Sequence, residues 1–220
     1  MRTIVSEISL TTTSKVLMPS SRSLPLRYQT PTHWASQVLE KPLELLSDQA
    51  YLEKKAANNA LEFMNLWPGP RAPLHWLSSV ATIAKDEALH LQMVLKLLEK
   101  RGGVLQASHK NPYAADLRRL IRSGKGAQEL VDRLLVSALI EARSCERFER
   151  LSEVANDAEL LKFYRSLLIS ENGHYRLFVD MAKKALPSKE VEARWDHLLD
   201  AEAQTIRSQS PGPRIHSGIG

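Results

Sequence analysis

The chain carries one cysteine, Cys145, among 220 residues. That excludes an internal disulfide framework and any zinc site built from several thiolates, and a reducing compartment, the cytoplasm, fits best. No stretch approaches 18 uncharged apolar residues, so no membrane-spanning helix is expected. Neither a Walker-type phosphate loop nor a dinucleotide fingerprint is present, and Gly124-Lys125-Gly126 lacks the context of a phosphate loop. Strand signals are almost absent. Excess charge is small: 30 Lys and Arg stand against 25 Asp and Glu, a net of +5, which suits a polyanionic partner without demanding one. What is present is ordinary for a globular chain, with 43% hydrophobic and 25% charged residues.

Residues 1 to about 30 have no apolar periodicity. The run Thr11, Thr12, Thr13, Ser14 and the cluster Pro19-Ser20-Ser21-Arg22-Ser23 accompany a single acidic residue, Glu7. A transit peptide shares that composition, but the continuous apolar centre of a secretory signal is missing, and a flexible native extension is the reading adopted. From Pro31 onward the spacing predicts five helices, with a shorter one between the second and the third. They cover about 42–67, 73–101, 126–155, 157–186 and 188–207, and the short one about 112–122. Pro68-Gly69-Pro70, Gly102-Gly103 and Pro187 supply the stops. Residues 31–207 are therefore read as one helical domain and 208–220 as a C-terminal tail. Long helices with short connections pack as an antiparallel bundle, and the long link between the second and third long helices is suited to crossing it. The expected fold is all-α, a ferritin-like four-helix bundle with a crossover connection and additional short helices.

Several charged residues fall on faces that should be buried. In the second helix, Val80, Ile83, Ala84, Leu91, Val94 and Leu98 recur at three- and four-residue steps, and Glu87 and His90 lie on the same stripe. In the fourth long helix, Tyr164, Leu167, Leu168, Phe178 and Met181 mark the inner face, and Glu171 and His174 share it. Each Glu-x-x-His pair places both side chains on one side of a helix, a turn apart. Glu53 sits on a stripe of Leu46, Ala50, Ala57, Ala60 and Met64; Glu141 sits on one of Leu134, Ala138, Cys145 and Phe148. The order Glu, Glu-x-x-His, Glu, Glu-x-x-His is a two-fold repeat of a helical hairpin.

Burying an ionised carboxylate costs several kcal/mol unless it is compensated. Two divalent cations would neutralise four carboxylates and leave two imidazoles as further ligands. One Glu from each of two helices and a Glu-x-x-His from each of the other two is the di-iron or di-manganese carboxylate constellation of helix bundles. Either pair alone reads more simply as an edge carboxylate and a satisfied core histidine; the six in register point to metal. His75, His109 and His197 have no partner at ligand spacing and read as surface or capping groups. Cys145 reads as a small core thiol, and Trp67, Trp76 and Trp195 as core or bundle-end packing.

The strings Glu53-Lys54-Lys55-Ala56-Ala57, Glu141-Ala142-Arg143-Ser144-Cys145-Glu146-Arg147-Phe148 and Lys162-Phe163-Tyr164, followed by Ser170-Glu171 and His174, resemble the bacterial tRNA hydroxylases that act on 2-methylthio-N6-isopentenyladenosine. The resemblance spans about residues 31–186 and extends to Arg214-Ile215-His216-Ser217-Gly218. Asp48-Gln49-Ala50 and Leu52 stand where that family has Asp-His-Ala and a cysteine; none of them is a proposed ligand. The resemblance implies a ferritin-like fold and two iron ions held by Glu53, Glu87, His90, Glu141, Glu171 and His174. It also implies O2 as co-substrate, an external electron donor such as a reductase, and hydroxylation of the isopentenyl group of a modified adenosine beside the tRNA anticodon. A tRNA substrate calls for a basic rim, for which Arg118, Arg119, Arg122 and Lys125 form the densest cluster and Lys54, Lys55, Arg143 and Arg147 are further candidates. Two other readings stay open on the residues alone: a ferritin-like ferroxidase, iron-storage or peroxide-reducing protein, and a metal-free bundle that binds nucleic acid.

Overall fold

A computed structural model describes residues 24–220; the part of the expected extension before residue 24 lies outside the described residues. Seven α-helices and no strand occur among them: α1 (His33–Leu39), α2 (Pro42–Glu62), α3 (Leu74–Lys100), α4 (Pro112–Arg118), α5 (Ala127–Val154), α6 (Ala158–Ala185) and α7 (Ser188–Arg207). No helix of the described residues is long and apolar enough to cross a membrane.

The helix ends follow local chemistry. α2 starts on Pro42, whose missing N–H costs nothing in a first turn. Its end tightens into a single 3-10 turn, Phe63–Asn65. α3 closes with Gly102 at φ 68°, where the Gly102 N–H donates to Glu99 O and the Gly103 N–H to Leu98 O, both at 2.9 Å. That left-handed step satisfies two orphan carbonyls, and glycine takes it without steric cost. Asp157 caps α6, accepting from the N–H groups of Glu159 and Leu160.

α2 pairs with α3 and α5 with α6 along their lengths, giving two hairpins joined by the crossover that carries α4. The hairpins meet through α3 and α6, whereas no Cα of α2 comes within 8 Å of one of α5. This ferritin-like bundle therefore has a tight seam on one side and a gap on the other. The stripe of α3 is buried except for the half-buried Leu91, and those of α5 and α6 are buried. In α2 the stripe stops at Ala60, and Met64, beyond the helix end, is exposed.

Two segments depart from expectation. Helix α1 was not anticipated: seven residues without a capping side chain have little helical stability of their own, and burial of Trp34, Ala35 and Val38 supplies it. Residues 24–30 fall in the segment expected to be flexible, yet Leu24 and Leu26 are buried, Arg27 pairs with Asp196 and Asp200, and Thr30 donates to Glu146 from its N–H at 2.6 Å and its hydroxyl at 2.7 Å.

Glu146 belongs to a buried ion network on the outer side of α5. Arg143, 0% exposed, donates to both oxygens of Glu202 on α7 at 2.8 and 2.9 Å, to Glu146 at 3.0 Å and to Tyr28 O at 3.0 Å. Arg147, 1% exposed, lies 4.0 Å over the Trp34 ring and donates to Ser217 O at 3.0 Å. These two arginines were expected as candidates for a basic rim; the structure corrects that, because both are committed to the interior and reach no solvent. They tie α1, α5, α7 and the C-terminal tail together. The Glu202→Ala variant leaves the Arg143 guanidinium buried without its bidentate partner. It should lose about 3–5 kcal/mol of stability, read from urea unfolding against the wild type.

Candidate metal centre

Each of the four long helices delivers its inward carboxylate to the middle of the bundle. Ligand atoms of Glu53, Glu87, His90 and Glu171 all lie within 4.8 Å of one another, and all four residues are buried. His90 Nδ1 is 3.4 Å from Glu87 Oε2, 3.3 Å from Glu171 Oε1 and 3.7 Å from Glu53 Oε2. His174 Nδ1 is 2.7 Å from Glu87 Oε1 and 3.1 Å from Glu171 Oε2. Glu87 and Glu171 thus each turn one oxygen to one histidine and the second oxygen to the other. Glu141 lies outside the tightest group. It is buried and lines the same cavity as Glu53 and Glu171.

The electrostatics follow from burial. Burial pushes the Glu53 carboxyl up to about 7, with the Glu87 charge adding to it against the pull of His90. Glu141 is driven well above the carboxylate range, first by burial and then by Glu171 and Glu87. Burial opposes ionisation of Glu171 too, but hydrogen bonds from His174 and His90 outweigh it and hold that group below its ordinary value. Burial also works against charge on the histidines; hydrogen bonds to the carboxylates reverse this, raising His90 strongly and His174 to about 11. Protons on the imidazoles do the work that cations would do better.

A cavity of about 430 Å³ fills the gap between α2 and α5. Buried Glu53, Glu141 and Glu171 form its floor. Leu52, Ala56, Ile140 and Phe148 give it apolar walls, and exposed Lys110, Pro112, Ala115 and Arg118 mark its mouth. The histidines of α3 and α6 lie across the floor from this opening.

The tRNA-(MS[2]IO[6]A)-hydroxylase (MiaE) family model matches residues 17–217. The chain belongs to this family. Two curated relatives carry the name tRNA 2-(methylsulfanyl)-N(6)-isopentenyladenosine(37) hydroxylase. The one from Pseudomonas putida is 35% identical over 190 residues, covering 86% of this chain and 90% of that protein. The one from Salmonella typhimurium is 31% identical over 143 residues, covering 65% of this chain and 52% of that protein. Among solved structures, Protein 43 with aldehyde deformylating oxygenase activity from Synechococcus superposes with a TM-score of 0.80 at 33% identity, covering 88% of this chain and 96% of that one.

In this hydroxylase-family chain the buried carboxylate and histidine cluster fits a di-iron centre. Glu87 Oε1 is buried and 2.7 Å from His174 Nδ1, yet no hydrogen bond aligns with it. A buried carboxylate oxygen that faces an imidazole nitrogen without an aligned hydrogen bond fits a pair of ligands to one cation. Oxygen and imidazole nitrogen donors suit iron.

The basic candidates separate. Arg118 lines the cavity, as does Lys55. Arg119 pairs with Asp116, and Arg122 donates to both oxygens of fully buried Asp132 at 2.8 and 2.9 Å, which holds the crossover onto α5. Lys54 and Lys125 are exposed. Sequence alone missed Lys110 at the mouth and three supporting contacts. Gln49 Nε2 donates to Glu53 Oε1 at 3.0 Å. Asp86 Oδ2 faces His174 Nε2 at 3.6 Å, within the partnership that metal-bound imidazoles use to fix their orientation. His109, expected at the surface or in a cap, joins Asp48 at 2.7 Å and Lys55 at 2.8 Å and stacks on Tyr51. Asp86 directly precedes Glu87 and Gln49 stands one turn before Glu53, signals available in the sequence; the His109 contacts cross from the crossover to α2 and had none. Cys145 is a buried core thiol directed at Leu168 O.

Without bound cations, the raised groups govern the response to pH. A raised folded-state pKa contributes stability below the unfolded value, and that stability is lost as pH climbs through the folded value. For Glu53 the window is 4.5 to about 7, and for His174 it is 6.5 to about 11. The Tm of metal-free protein should fall as pH rises from about 5 to about 9. Stoichiometric ferrous or manganous ion should raise Tm most at the alkaline end. Thermal scans at fixed ionic strength check both trends.

Proposed function

We propose that this chain is an O2-dependent di-iron monooxygenase that hydroxylates the isopentenyl group of 2-methylthio-N6-isopentenyladenosine in tRNA, with an external reductase as electron donor, and that it works in the cytoplasm. The observation that carries the reading is the cavity between α2 and α5, which joins an apolar sleeve to a floor of carboxylates and a basic mouth. Glu53, Glu87, His90, Glu141, Glu171 and His174 would hold the two irons. When bound, the two irons supply the reductive activation of O2 that places one oxygen atom in an allylic C–H bond.

The chain's own residues do the rest. Leu52, Ala56, Ile140 and Phe148 present a wall that favours an isoprenoid over water. Gln49 fixes the Glu53 carboxylate and Asp86 orients the His174 ring. Lys55, Lys110 and Arg118 meet the phosphates flanking the modified nucleotide. Burial first, then the charge of Arg118, lowers the pKa of Lys55, which fits two cations close enough to share a polyanion. The prenylated base leaves the anticodon-loop stack to enter the cavity.

Deleting the chain from its host should remove the hydroxylated prenyladenosine from tRNA hydrolysates, and re-expression should restore it. Glu141→Ala should fail to restore it and should purify with less iron per chain after anaerobic ferrous loading. Lys110→Ala combined with Arg118→Ala should keep the iron content, weaken tRNA binding and reduce the slope of log K against log salt by about 1.4 to 1.8, the loss of two phosphate contacts.

A further inference from the structure

One wall of the cavity is formed by the C-terminal tail rather than by the bundle. His216 is buried there between α4 and α5, its ring 4.6 Å from that of Tyr113. The tail is pinned on both sides of it: the Ile215 N–H donates to Asp48 Oδ2 at 2.9 Å, and Ser217 accepts from Arg147 and from Trp34 Nε1. Asn111, His216 and Ser144 all line the cavity and form a chain of hydrogen bonds, with Asn111 Nδ2 3.3 Å from His216 Nδ1 and His216 Nε2 3.2 Å from Ser144 Oγ.

The direction of this chain is fixed at its outer end. Asn111 caps α4, and its Oδ1 accepts from the Ala114 N–H at 3.1 Å. The Nδ2 group therefore faces His216 and donates to Nδ1. Burial, with the charges of Arg147 and Arg143 nearby, pushes the His216 pKa well below its usual value, so the ring is neutral and its one proton sits on Nε2. Nε2 donates to Ser144 Oγ. The serine then accepts from the histidine, and its own proton has no other partner among the described residues. Ser152, Ser166 and Thr205 hand theirs to a carbonyl of their own helix. A hydroxyl held in this way offers one donor to the cavity.

We propose that Ser144, oriented by His216 and Asn111, donates a hydrogen bond to a ring nitrogen of the purine beside the prenylated amine, and so holds and orients the base that the prenyl group brings into the cavity. The proposal rests on the hydroxylase reading above. Ser144 lies three residues beyond Glu141 on the cavity face of α5, about 4.5 Å of helix rise. An isopentenyl chain of bonds near 1.5 Å sets its terminal methyl about 5 Å from the nitrogen that carries it. With the methyl over the carboxylate floor, the purine edge reaches the level of Ser144. A ring nitrogen is an acceptor, and a serine whose acceptor side is already engaged is its complement. Leaving that nitrogen unpaired in a closed cavity costs affinity.

The test is equilibrium binding to the iron-loaded protein, held without O2. The ligands are two anticodon stem-loops, one carrying 2-methylthio-N6-isopentenyladenosine and the other unmodified adenosine. The wild type should prefer the prenylated RNA. Ser144→Ala and His216→Leu should weaken that RNA about five- to tenfold, the share of one hydrogen bond, and leave the unmodified RNA unchanged. His216→Gln should keep the preference, because its Nε2 can take the place of the imidazole donor. Replacing the 1- or the 7-nitrogen of the prenylated base by CH should, for one of the two, lower wild-type affinity to that of Ser144→Ala with no further loss in the variant. Ser144→Ala binding both RNAs as the wild type does, weakening both equally, or responding additively to both analogues would overturn the proposal. A wild-type protein that hydroxylates tRNA while Ser144→Ala keeps full preference removes only this inference; a wild type that neither prefers nor hydroxylates the prenylated RNA removes the function as well.

Discussion

Four buried carboxylates meeting inside one bundle are the constraint around which the rest of the structure is arranged. Left to themselves, Glu53, Glu87, Glu141 and Glu171 would repel one another, and burial raises Glu53 and Glu141 above the usual carboxylate range. The fold tolerates them because two histidines stand among them, within 3.7 Å of Glu53, Glu87 and Glu171. Two divalent ions in place of protons would turn a destabilising cluster into a clamp across the four helices. The apolar stripes of α2, α3, α5 and α6 bring the helices together; the polar residues on those stripes decide what the bundle is for.

The unequal spacing of the helices gives the centre two sides. α3 and α6 close over the histidines, and α2 and α5 stand apart. The gap becomes a cavity that Glu53, Glu141 and Glu171 line and the two histidines do not. α4 and the tail finish the walls that the four long helices leave open. Both are held by the ion network around Arg143 and Glu202, through Tyr113 Oη to Glu202 Oε1 at 3.0 Å on one side and Arg147 to Ser217 on the other. The arginines that looked suited to bind tRNA are thus used to position the cavity wall, and Lys110 and Arg118 stand exposed at the mouth. Membership of a hydroxylase family favours this use of the bundle over iron storage or a metal-free scaffold.

Helical periodicity is local information, and it made the four long helices, their stops and the inward position of six ligand-type residues legible from the chain alone. A Glu or His on an apolar stripe at three- and four-residue spacing contradicts the stripe unless something inside the bundle accounts for it, which is why Glu53, Glu87, His90, Glu141, Glu171 and His174 stood out. Tertiary structure alone decided the rest. It chose which pair of helices would separate, and turned Arg143 and Arg147 inward although they share α5 with Glu141. It drew His109 onto Asp48 and Lys55, and brought His216 from the far end of the chain to Ser144. Each of those outcomes depends on contacts between residues tens to more than a hundred positions apart, whose energies are set by burial and by partners that no local pattern encodes.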